Sequence, residues 1–232
     1  MWNQIIQLFE TSTAAEIAVA LVVLVLSLLL LIRLVTSSKR NMGPDVTLIL
    51  GPCGSGKTTM FYKWQSPKLK AKTVTSQSIN RGFVFGKNEV IDYPGHPRLR
   101  GGLSTLIPRA RKIVFLLDSS DTMDGFKSAA ELLYDIFVMK GLRPDAQMLI
   151  GCHKSDLEGS RDCNAVEKIL NDQIELLRKS RMQGELEGDN SVDQYLGVDD
   201  EPFDLNNHSP IRVEFTSSNI KKLVDIESFI SS

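Results

Sequence analysis

The stretch Gly51-Pro-Cys-Gly-Ser-Gly-Lys57-Thr58 follows directly on the apolar run Val46 to Leu50, and this juxtaposition restricts the fold more than any other feature of the chain. The pattern G-x-x-x-x-G-K-[ST] needs a strand before it and a helix after it. Successive backbone N–H groups of the loop then form an anion-binding concavity at the helix start. Gly51, Gly54 and Gly56 permit backbone approaches that a Cβ would hinder. Lys57 brings a point charge for the outer phosphates and Thr58 a hydroxyl for Mg²⁺, while Pro52, Cys53, Ser55 and Thr59 complete the phosphate-binding set.

The chain has 232 residues, room for one ordinary domain and an extra segment. A formal net charge of −1 gives no electrostatic case for nucleic-acid binding. Cys53, Cys152 and Cys163 form no C-x-x-C pair, which fits a reducing compartment. Nothing near Cys53 in sequence marks it as a nucleophile, so it reads as a small loop residue.

Residues 1–13 form a short, mildly amphipathic start, and residues 14–35 are almost continuously apolar, with Glu16 and Arg33 near the two ends. About 20 apolar residues span a bilayer, so this run is a transmembrane helix candidate. A buried core helix would show a polar face, and a cleaved signal peptide would carry a positive start; this segment has neither. Arg33, Lys39 and Arg40 lie on its C-terminal side and no Lys or Arg precedes it, so the N-terminus is expected to be lumenal and the rest cytosolic. Residues 36–45 read as a polar linker, and 46–232 as the folded domain.

From Val46 onward short apolar strands alternate with helical patterns, which argues an α/β fold with a mostly parallel sheet covered on both faces. Strands are expected at Val46 to Leu50, Gly82 to Phe85, Val90 to Asp92, Ile113 to Asp118, Met148 to Cys152 and Arg212 to Phe215. Helices are expected at Lys57 to Trp64, near Leu99, and over Gly125 to Met139, Ala165 to Lys179 and Lys221 to Ile230. Phe126, Ala129, Ala130, Leu133, Phe137 and Val138 fall at helical spacing and read as core. Between residues 182 and 210 the periodicity stops and acidic residues and glycines gather, the mark of a solvated insertion loop.

A metal bound beside the phosphate loop needs a carboxylate at another strand end. Asp92-Tyr-Pro-Gly95 supplies it: Asp92 for the metal region, and the Gly95 N–H for a γ-phosphate. The polar stretch Gln65 to Arg81 offers Thr73, Thr75, Ser76 and Ser78 as further Mg²⁺ ligands; Thr75 is the choice, with Thr73 second. Cys152-His153-Lys154-Ser155-Asp156 resembles the N-K-x-D guanine motif with His in place of Asn. The Asp156 oxygens suit guanine's N1–H and exocyclic amine, which adenine does not present together. Lys154 would lay its stem along the purine, and His153 would either donate a ring N–H or make no ligand contact. Thr216-Ser217-Ser218-Asn219 follows the last strand and resembles the T-S-A-K loop of small GTPases, which puts Ser217 and Ser218 in the base site.

Together these motifs resemble a P-loop NTPase of the Ras-like GTPase type, using GTP and Mg²⁺. The order of anchor, phosphate loop, Asp92-Tyr-Pro-Gly-His96 and Leu132-Leu-Tyr134 is similar to the family of signal recognition particle receptor β subunits, over nearly the whole chain. That resemblance implies a single-pass endoplasmic reticulum membrane protein that docks the receptor's α subunit when GTP-bound, in cotranslational targeting, with ribosome or translocon contacts to be considered. His96 occupies the position where many Ras-like enzymes carry a water-orienting Gln, which makes it the catalytic candidate and implies slow hydrolysis. The alternatives are an Arf-like trafficking GTPase that cycles, a nucleotide-locked scaffold and, most remotely, an ATP-using phosphotransferase.

Overall fold

The computed structural model describes Val19 and residues 21–29, 44–66, 76–85, 88–186, 196–198 and 201–232. The chain divides into two units, Met1–Gly43 and Pro44–Ser232. In the first, Val19 and residues 21–29 are helical and exposed. Among the described residues no helix is long and apolar enough to cross a membrane, and most of the expected span 14–35 lies outside them.

The second unit is built on a six-stranded sheet of order β2-β3-β1-β4-β5-β6, comprising β1 (Val46–Leu50), β2 (Asn80–Val84), β3 (Asn88–Asp92), β4 (Ala110–Asp118), β5 (Gln147–His153) and β6 (Arg212–Ser217). Only the β2–β3 pair is antiparallel; the others run parallel, as strands linked through crossover helices do. Every residue of β1 is buried, because both sheet faces are covered. On one face Leu48, Leu50, Ile113, Phe115 and Leu117 pack with α2 (Met123–Val138) and α3 (Cys163–Leu186). On the other, Ile49, Val90, Val114 and Leu116 pack with α1 (Lys57–Gln65) and with Ile226 and Ile230 of α5 (Val224–Ser231). The remaining helix, α4 (Leu205–His208), is a single turn capped by the Asp204 carboxylate.

The expected stripe of α2 is core: Phe126, Ala129, Ala130, Leu133 and Phe137 are all buried. Three expectations need correction. The segment near Leu99 is not α-helical but two 3₁₀ stretches, Pro97–Thr105 and Ile107–Arg109, because Pro97, Gly101, Gly102 and Pro108 all disfavour a continuous α-helix. Helix α5 begins only at Val224, since the Asn219 side chain accepts the N–H groups of Lys221 (2.9 Å) and Lys222 (3.0 Å) and closes a local turn. The stretch 182–210 is not wholly a solvated loop: α3 runs on to Leu186, and Leu196, Phe203 and Leu205 are buried in the core. Arg178 of α3 fastens it, donating to the carbonyls of Val198 (2.8 Å) and Glu201 (3.2 Å), while the neighbouring Glu175 accepts the Phe203 N–H at 3.0 Å.

Candidate functional site

The carboxyl ends of the parallel strands meet at one edge of the sheet, where α/β folds place their ligands. The phosphate loop leaves β1 there and enters α1 through Gly56, whose φ of 93° lies in the left-handed region. The turn after β3 lies directly on this loop. A Cβ on Gly95 would stand 2.6 Å from the Gly51 carbonyl oxygen and 2.7 Å from the Cys53 nitrogen, so only glycine fits. Lys57 is buried and folded back, its Nζ donating to the Pro52 carbonyl at 2.6 Å and to Ser55 Oγ at 3.3 Å. Burial lowers its pKa to about 8, against the opposing pull of Asp92 and Cys53. An ammonium held by a carbonyl and a hydroxyl is short of countercharge, which a bound phosphate would supply.

Asp92, at the end of β3, is 1% exposed. Its Oδ2 accepts from Thr58 Oγ1 at 2.8 Å and from Asn80 Nδ2 at 2.9 Å, whereas its Oδ1 is buried and without a partner. Burial raises the pKa of this carboxyl; the hydrogen bonds from Asn80 and Thr58 and then the charge of Lys57 oppose it. A buried carboxylate oxygen without a donor, next to a hydroxyl at the mouth of an anion site, fits a hard divalent cation that keeps several waters and phosphate oxygens. Among the described residues there is no group of three or more His, Cys, Asp or Glu that could hold a metal. Ser76 completes the hydroxyl set, its Oγ 2.9 Å from Thr58 Oγ1. Thr73 and Thr75 lie outside the described residues. Thr58, Ser76, Gly95 and Lys154 line one cleft of about 300 Å³.

At the end of β5 the chain turns sharply: Lys154 has φ 60°, an uncommon conformation for a non-glycine residue. Its ammonium lies 2.5 Å from Asp118 Oδ2 at the end of β4, which holds the side chain across the strand ends. His153 is buried, with Nδ1 3.1 Å from Ser218 Oγ. Burial, then the Lys154 charge, lowers its pKa from 6.5 to about 4, so the ring is neutral near pH 7. Ser218 N donates to the Cys152 carbonyl at 2.9 Å and its own carbonyl accepts from Ser155 N at 3.1 Å, so the two loops are laced together. Asp156 and Ser217 are exposed beside this lacing. Thr216 Oγ1 instead donates to Asp225 at the start of α5, at 2.9 Å.

The structure therefore gathers the phosphate loop, Thr58, Ser76, Gly95 and Lys154 at one cleft, with Asp92 buried behind Thr58 and His153 and Ser218 beside it. His96 stands apart. It is exposed, its Nδ1 accepts the Arg98 N–H at 3.2 Å, and it does not line the cleft. Residues that sequence reasoning missed include Asn80, which steadies Asp92, and Asp118 and Ser119, which hold Lys154 and the His153 carbonyl. Asp118-Ser119-Ser120 follows an apolar strand, and a strand's carboxyl end was the signal available for it. Asn80 carried no signal; it reaches Asp92 because the antiparallel register sets those two residues opposite each other.

A family model described as the signal recognition particle receptor beta subunit matches residues 43–213. The signal recognition particle receptor subunit beta of Homo sapiens is 29% identical over 223 residues, covering 91% of this chain and 79% of the relative. Among solved structures, that of the mammalian SRP receptor aligns with a TM-score of 0.68 at 26% identity, covering 81% of this chain and 98% of that one. The receptor's SRb–GDP–Mg structure from Chaetomium thermophilum aligns with a TM-score of 0.61 at 22% identity, covering 81% and 96%, a likeness of fold.

Proposed function

The chain belongs to the family of signal recognition particle receptor beta subunits, and we propose that it is a GTP-dependent docking switch that holds the receptor's α subunit at the endoplasmic reticulum membrane. Residues 14–35 serve as its single-pass anchor, with the N-terminus lumenal and the folded domain cytosolic. Docking there brings the domain close to the ribosome and translocon during cotranslational targeting.

The observation that carries this reading is the buried Asp92 with its Oδ1 unpartnered beside Thr58, at the mouth of the phosphate loop. Gly51 to Thr59 cradle the phosphates, Lys57 neutralises the outer ones, and the Gly95 N–H faces the γ-phosphate position. Thr58, Asp92 and a hydroxyl of the 73–78 stretch, Thr75 or Ser76, hold Mg²⁺, which when bound offsets the phosphate charge. Asp156 reads guanine, Lys154 flanks the purine, and the loop of Ser217 and Ser218 braces them. His96, standing where many Ras-like enzymes carry a water-orienting Gln, favours a switch read by binding over rapid turnover. An Arf-like cycling enzyme would instead show substantial stimulation of hydrolysis by an activating protein.

The test is to extract the full-length chain in detergent and identify the nucleotide and proteins that accompany it. GTP together with the receptor's α subunit is the expected result, and Lys57→Ala should lose both. Retention of the α subunit by a demonstrably nucleotide-free variant would overturn the switch.

A further inference from the structure

His153 stands where the guanine-reading pattern carries Asn, yet its surroundings are not those of a side chain aimed at a ligand. The imidazole is 3% exposed, and it does not line the cleft that Lys154 lines. On one side Nδ1 meets Ser218 Oγ at 3.1 Å. On the other, Cδ2 and Nε2 lie 2.8 and 3.1 Å from the point where a Cβ on Gly56 would stand, so the ring fills the space that glycine leaves open. Neither neighbour is free to drift. The Gly56 carbonyl accepts the Met60 N–H of α1 at 2.9 Å, and Ser218 is held through both its backbone N–H and its carbonyl. The His153 carbonyl is fixed in turn by the N–H and the hydroxyl of Ser119, at 2.9 and 2.7 Å.

We propose, on the reading that this is a guanine-nucleotide site, that His153 is a positioning residue: its ring sets the spacing between the phosphate loop at Gly56 and the base loop at Ser218, and it is not a ligand to the purine. An imidazole reaches farther than the Asn amide and is rigid. Wedged between the two loops, it couples their positions, so that a phosphate held at Gly56 and a base held near Ser218 are presented at one fixed separation.

The test measures dissociation constants of the full-length chain, in detergent with Mg²⁺, for GDP and for 7-deaza-GDP. The analogue lacks N7, the purine acceptor that a ring N–H would use. The unmodified chain is expected to bind both within twofold, and His153→Ala to lose about tenfold for both alike. Ser218→Ala should lose less, and the double variant no more than His153→Ala alone, because the two side chains share one contact. His153→Asn keeps a hydrogen-bonding group and should recover part of the loss, which guards against an Ala variant that fails to fold. A penalty on 7-deaza-GDP that disappears in His153→Ala would make the ring a base contact and overturn the proposal. So would unchanged GDP affinity in His153→Ala, or additive losses in the double variant. Failure of the unmodified chain to bind GDP would instead remove the nucleotide reading itself, and the proposal with it.

Discussion

On the proposed reading Asp156 carries the choice of base, and its chemistry makes that testable one atom at a time. Its carboxylate would accept from guanine's N1–H and exocyclic amine; an amide in its place loses one acceptor and gains a donor. Asp156→Asn should weaken GTP binding by roughly a hundredfold or more and improve binding of xanthosine triphosphate, whose ring carries an oxygen where guanine has the amine. Competition titration of the two nucleotides checks this. His153 makes a second residue-scale prediction. Below its ordinary pKa of 6.5 the unfolded chain's imidazole takes up a proton that the folded ring refuses until about pH 4. The unfolded state then binds more protons, so stability falls as pH drops through that window, by at most about 3 kcal/mol. Thermal melts from pH 7 to 4 should show the loss, and His153→Asn should flatten it. For Asp92, replacement by Asn keeps the shape and removes the charge. Nucleotide affinity of Asp92→Asn should lose most of its dependence on Mg²⁺, measured by titration with and without a chelator.

At the scale of elements, α3 does more than cover the sheet. Arg178, 3% exposed, ties Val198 and Glu201 to the helix, and its guanidinium also lies 5.9 Å from the Phe203 ring centroid. Arg178→Ala strips donors from the Val198 and Glu201 carbonyls and removes the buried partner of Glu175, and should cost about 3 kcal/mol, read as a lowered midpoint in urea with the slope unchanged. The central strands were legible because β1, β4 and β5 are buried on both faces and read as continuous apolar runs. The phosphate loop was legible because its chemistry is local. The segment holding Leu196, Phe203 and Leu205 was not: these residues stand among acidic and polar neighbours with no period, they are buried in the core of the sheet and its helices, and the segment is anchored by Arg178, 20 residues before Val198 in sequence. The same limit hid Asn80 and Asp118, whose roles come from strand register and not from spacing along the chain.

On the scale of the whole molecule, the fold sets the phosphate loop, the Asp92 turn and the loops after β5 and β6 on the same edge of one sheet, so on the proposed reading one nucleotide would touch the ends of β1, β3, β5 and β6 together. On that reading the segment after Asp92 is the part that responds to the third phosphate. In the structure described here it is a 3₁₀ stretch, with Arg100 paired to Asp135 of α2 at 3.0 Å. The most direct measurement is recruitment of the soluble receptor α subunit to liposomes carrying the full-length chain, loaded with a non-hydrolysable GTP analogue, with GDP or with no nucleotide. The α subunit should bind at least tenfold more tightly to the GTP-analogue form than to either other form. Equal recruitment in all three would contradict the switch.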